Sequence, residues 1–163
     1  AGDGYYLSIE GVALTNRTYK TPNPSEWFLH RNMPIGYEIG SDVARLNLLS
    51  RYYLLEKWHV DTEIDLIWRG EGNFLKAWDA PWENDTITME TGYSEAFPTG
   101  IVEKSVILSA EVMRHWNRER WISLGVSYKS INNVDHFQDE KDSGLKFHLS
   151  ASWTLEYKAI FEQ

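Results

Sequence analysis

Apolar and polar residues alternate along most of this chain with a period of two, the spacing of a β-strand that turns one face toward apolar surroundings. The clearest run lies near the C-terminus, where Leu145, Phe147, Leu149, Ala151, Trp153, Leu155, Tyr157, Ala159 and Phe161 oppose Lys146, His148, Ser150, Ser152, Thr154, Glu156, Lys158 and Ile160. It predicts a strand over 144–161, well beyond the roughly 5–6 residues of an ordinary globular strand. A second run predicts a strand over 58–69, with Trp58, Val60, Thr62, Ile64, Leu66 and Trp68 opposite His59, Asp61, Glu63, Asp65, Ile67 and Arg69. The same rule predicts strands over 5–16, 42–54, 101–116 and 121–131. No segment keeps a convincing helical period.

Connections between these strands alternate in length. Residues 55–57 and 117–120 are tight turns, whereas 17–41, 70–100 and 132–143 are long, polar and rich in Gly, Pro, Asn and Asp. Short turns at one end and long loops at the other are the arrangement of outer-membrane barrels, with the long loops extracellular. The ends of the strand over 58–69 agree. Trp58 and Trp68 lie ten residues apart, or ~33 Å along an extended chain. A strand tilt of ~45° reduces that to ~23 Å, close to the ~25 Å apolar band between the aromatic girdles of a membrane barrel. Trp58, Trp68, Trp116, Trp121 and Phe161 are therefore the expected membrane-interface residues, and Phe161 resembles the near-terminal aromatic that barrel-assembly machinery reads.

Composition narrows the classes further. The chain of 163 residues carries a net charge of −8, which argues against a nucleic-acid partner because phosphate binding needs a concentrated basic surface. There is no cysteine, so disulfides and thiolate metal sites are excluded. No run of about 20 apolar residues exists, which excludes a transmembrane helix but not a strand-built membrane protein. The mean hydropathy of −0.46 fits either a soluble protein or a barrel. Eight Trp and nine Tyr stand out, and many fall outside the strands.

No catalytic motif of the GxSxG, HExxH or phosphate-loop type occurs. His59, Asp61 and Glu63 share a strand face, but alternate residues stand ~6.6 Å apart, wide for a single metal ion. They read as a hydrated wall of paired charges. No catalytic residue, metal ligand or cofactor is assigned. In the long loops, Trp27, Tyr37, Trp78 and Trp82 sit among acids and amides, Asp79 included. Flat aromatic faces stack on sugar rings while carboxylates bind hydroxyls, so these residues are the candidate glycan contacts. Packing as a lid over a barrel mouth is the competing explanation of the same aromatics.

The segment WFLHRNMPIGYEIGSDVARLNLLSRYYLLEKWHVDTEIDLIWRGEG, residues 27–72, resembles the Wzi-type capsule-assembly family of outer-membrane proteins. The resemblance rests on Arg31, Pro34-Ile35-Gly36-Tyr37, Gly40-Ser41-Asp42 and Arg69-Gly70-Glu71, about a quarter of the chain. Tyr37 stands where that family most often has His. The resemblance implies a large monomeric barrel that binds surface polysaccharide as a lectin and helps hold a capsule to the cell. Members of the family are much longer than this chain.

The expectation is thus an all-β fold with a single domain over 1–163. It would be an antiparallel transmembrane β-barrel, the C-terminal portion of a larger up-and-down barrel in the bacterial outer membrane. Six strands fall short of the ~8 of the smallest single-chain barrels. Other chains, a missing N-terminal part, or further strands in the loops (Thr86 to Tyr93 is one) would complete the wall. The expected partners are outer-membrane lipid, surface or capsular polysaccharide and the barrel-assembly machinery. A pore or transporter barrel is the second reading, and a soluble carbohydrate-binding β-sandwich the third.

Overall fold

The computed structural model describes residues 4–19, 23, 29–30, 33–34, 36–54, 57–73, 75, 96–117 and 119–153. Six long strands form one antiparallel sheet: β1 (Gly4–Leu14), β4 (Val43–Leu54), β5 (Trp58–Arg69), β6 (Glu103–His115), β7 (Trp121–Asn132) and β8 (Lys141–Ser152). Their spatial order is their chain order, β1-β4-β5-β6-β7-β8. Two short strands in the first long connection, β2 (Leu29–His30) and β3 (Met33–Pro34), pair only with each other. The pattern of alternation is silent about such two-residue pieces. The sheet is not closed, and β1 and β8 are its outermost strands. Among the described residues no helix is long and apolar enough to cross a membrane.

Register assigns every strand residue to one of two faces, since side chains alternate and antiparallel partners share a side. One row of partners is Ile9, Leu48, Ile64, Leu108, Tyr128 and Leu145, and its neighbour is Leu7, Ser50, Thr62, Ala110, Val126 and Phe147. The opposite face carries rows such as Tyr6, Arg51, Asp61, Glu111, Gly125 and His148. The chain has therefore sorted itself into an apolar face and a polar face across all six strands.

Burial runs opposite to that of a water-soluble sheet. On the central strands Ile64 is 40 % exposed and Leu108 41 %, whereas Asp65 is 6 % and Ser105 8 % exposed on the polar side. Among the described residues only Tyr19, Val43 and Ile131 are buried apolar side chains. A soluble domain stabilises itself by removing apolar area from water, at roughly 25 cal/mol per Å². This sheet keeps its apolar side uncovered.

Both ends of the sheet are fastened by side-chain oxygens. At the short-turn end, Asn117 Oδ1 accepts from the backbone N–H of Glu119 (3.1 Å) and Arg120 (2.8 Å), closing the β6–β7 turn. The β7–β8 connection, residues 133–140, is shorter than the loop the polar run suggests, because pairing continues to Asn132 and resumes at Lys141. Asn133 Nδ2 donates to the Val102 carbonyl (2.9 Å), and the Asp135 N–H donates to Glu103 Oε2 (2.9 Å). These bonds dock the loop on the start of β6.

Candidate functional site

The polar face is built from cross-strand pairs. Arg51 and Asp61 are direct partners on β4 and β5, and the guanidinium meets the carboxylate through two bonds, Nε to Oδ1 at 2.7 Å and a terminal nitrogen to Oδ2 at 2.5 Å. Arg45 reaches diagonally to Asp65 in the same forked way, at 2.7 and 2.9 Å, and its other terminal nitrogen donates to the Tyr37 hydroxyl at 3.0 Å. The fork suits a carboxylate because both planar groups present two parallel sites. Asn47 donates to Glu63 at 2.6 Å, and Arg69 approaches Glu103 at 3.2 Å. Toward the short-turn end the His59 and His115 rings stack with centroids 5.2 Å apart.

Farther along the face, His148 on β8 lies 3.5 Å from Glu111 on β6, reaching across the intervening strand β7. It can do so because its partner on β7 is Gly125: any Cβ there would run into the imidazole ring. A cleft of about 150 Å³ opens here, lined by Leu49, Asp61, Glu63, Ser109, Glu111 and His148. A wider one of about 440 Å³ lies between β7 and β8, beside Lys129 and Lys146. Among the described residues the polar side thus carries three arginine–carboxylate pairs and these two recesses.

Asp42, immediately before β4, holds the long-loop end together. It is fully buried and left-handed (φ 59°), a conformation Asp tolerates better than most residues. Its carboxylate accepts from the Gly72 N–H (2.7 Å), the Thr99 N–H (3.0 Å) and the Thr99 hydroxyl. Its carbonyl accepts from the Gly70 N–H (2.8 Å), and Glu71 N–H donates to the Thr99 carbonyl (2.9 Å). Gly70 and Gly72 press directly on the Asp42 side chain, so a methyl group at either would collide with it. The Gly40-Ser41-Asp42 and Arg69-Gly70-Glu71 segments, far apart in sequence, therefore meet. In the sequence the two glycines stand only at the start of the long polar connection 70–100, and nothing in their spacing points to Asp42.

Of the expected glycan contacts, Tyr37 is described: its hydroxyl is held by Arg45, and its N–H donates to the Tyr19 hydroxyl at 3.0 Å. Trp27, Trp78, Asp79 and Trp82 lie outside the described residues, as does Phe161. Trp58 and Trp116 sit on the apolar face at the short-turn end, and Trp68 on the same face at the long-loop end. Trp121 pairs with His115 and falls on the polar face, because Ile122 and Leu124 beside it occupy the apolar one. It is thus separated from the other indoles, and Trp153 takes the place expected for it, 5.7 Å from Trp116 between ring centroids. His59, Asp61 and Glu63 share a face, but each is engaged with a different neighbour: His115, Arg51 and Asn47.

Comparison with known proteins finds no matching family model, no matching curated protein and no matching solved structure.

Proposed function

We propose that this chain forms part of the wall of a bacterial outer-membrane β-barrel that binds surface polysaccharide and helps capsule assembly or attachment. The observation that carries the barrel reading is the inverted burial of the central strands: apolar side chains such as Ile64 and Leu108 stay exposed on one face while Asp65, Ser105 and Ser123 are buried on the other. In lipid that arrangement becomes favourable, since hydrocarbon replaces water against the apolar face and the polar face lines an aqueous interior. Closure is the accompanying requirement. Unpaired strand edges cannot be satisfied by hydrocarbon, so β1 and β8 meet further strands, from other chains or from more of the same protein.

The polysaccharide part of the proposal rests on the resemblance of residues 27–72 to the Wzi-type family and on the chemistry of Trp27, Tyr37, Trp78, Asp79 and Trp82. With the long loops outward, these residues face the cell exterior, where capsular glycan is met. The wall itself has no catalytic role in this reading: Asp61 and Asp65 are held by Arg51 and Arg45, and Glu63 by Asn47.

The test begins with tryptophan fluorescence of the protein in bilayers whose acyl chains carry bromine. Strong quenching and a heat-modifiable gel shift are expected. A folded, monodisperse protein in detergent-free buffer would remove the barrel reading and favour the carbohydrate-binding sandwich. Capsule retention by cells lacking the protein then tests the glycan role; unchanged retention together with large single-channel conductance would transfer the function to a pore.

A further inference from the structure

At the short-turn end of the apolar face, Arg114 is caught between two indoles. Its Cζ lies 5.1 Å from the centroid of the Trp58 ring and 4.8 Å from that of Trp116. Trp116 meets Trp153 at 5.7 Å and 60°, edge to face, and Arg120 Cζ lies 5.7 Å from the Trp153 ring. Register puts Arg114 in one row with Trp58 and Ile122, on the side that carries Leu108 and Val112. Arg114 therefore stands on the apolar face and Arg120 lies in the adjoining turn against Trp153, and neither meets a carboxylate in an ion pair among the described residues.

Ring quadrupoles attract a guanidinium but supply neither a counter-charge nor an acceptor oxygen. Arg114 shows the deficit: its Nε is buried and has no hydrogen-bond partner. On the polar face the chain pairs Arg45 and Arg51 with forked carboxylates. At the short-turn end, where an aromatic belt would meet lipid headgroups, no carboxylate pairs with Arg114 or Arg120 among the described residues. An anion with at least two oxygens would supply both the counter-charge and the acceptors that the indoles lack.

We propose that Arg114 and Arg120, framed by Trp58, Trp116 and Trp153, bind the phosphate of a glycerophospholipid headgroup in the leaflet at the short-turn end. The proposal rests on the barrel reading above and adds to it a defined lipid contact. A phosphate offers the guanidinium the two-pronged acceptor that the indoles lack. The indole rings meanwhile cover the glycerol and upper acyl region. Arginine suits this position better than lysine because its planar group stacks on the rings while donating at its edge.

The protein is taken up in detergent micelles carrying equal amounts of phosphatidylethanolamine, phosphatidylglycerol and a phosphate-free diacyl glycolipid, and retained lipids are counted by native mass spectrometry. Wild-type protein is expected to keep either phospholipid at least ~10-fold over the glycolipid, and excess inorganic phosphate should not erase that preference. The double substitution R114Q/R120Q should bring the ratio to within about twofold of unity, with the heat-modifiable shift intact, and R114K should restore only part of it. Equal retention of all three lipids by wild-type protein overturns the proposal without any variant, as does an unchanged ratio in folded R114Q/R120Q. Displacement by inorganic phosphate assigns the site to a free anion and also overturns it. The bromine-quenching measurement separately reports whether the barrel reading itself has failed.

Discussion

Asp42 gathers three separate backbone segments with one side chain. Its carboxylate serves two N–H groups and a hydroxyl at a point from which water is excluded, and donors stranded there cost far more than the bonds would be worth in solvent. Asp42→Ala should lower the unfolding free energy by about 3 kcal/mol or more, measured by urea unfolding of protein inserted in lipid vesicles. Asp42→Asn should cost roughly half as much, since it keeps one acceptor oxygen and the tolerance for a left-handed backbone. An Asp42→Ala cost no larger than that of an exposed substitution would show that the three segments are held by something else. None of this was legible beforehand. A sequence presents Gly-Ser-Asp and Arg-Gly-Glu-Gly as two turns, and only three-dimensional closeness reveals that the glycines are small to admit the acid.

At the scale of elements, alternation was a good guide wherever both faces had clear partners. β5 runs Trp58–Arg69, the same limits that its period of two indicates, because it is a central strand whose every residue is paired on both sides. The start of β8 was less legible: Lys141, Asp142, Ser143 and Gly144 carry no apolar member, yet they pair with β7. Backbone hydrogen bonding extends a strand past the point where hydrophobicity marks it. Trp121 was assigned by its position at a strand end, whereas its parity places it on the polar side. The two faces of β5 supply a direct check. Ile64→Arg puts a charge on the apolar face and should destabilise by roughly 2–4 kcal/mol in a bilayer. Glu63→Arg, one residue away on the polar face, should be mild beyond the loss of its bond to Asn47. The reverse ranking, from equilibrium unfolding in vesicles of the same lipid, would mean that the faces are exchanged.

For the whole molecule, the candidate glycan site is the part that sequence chemistry proposes and the described geometry leaves open. Tyr37 is tied into the Arg45–Asp65 pair at the foot of the first long connection. Trp78 and Trp82 are the sharper probes. Replacing both by Ala should reduce binding to capsular polysaccharide on a glycan array at least ~10-fold, if each indole contributes about 1 kcal/mol of stacking, with the gel shift unchanged. Unchanged glycan binding with a lowered melting temperature would identify them instead as packing residues over the barrel mouth.

The Asp42 knot also bears on how such a protein can change over generations. By tying Gly70 and Gly72 to Thr99, it closes the β5–β6 connection at its root. Insertions beyond a pinned root add little closure entropy, which grows only as the logarithm of loop length. A root fastened by one buried acid uncouples the two parts: sequence beyond it can lengthen or diverge while the strands keep their register.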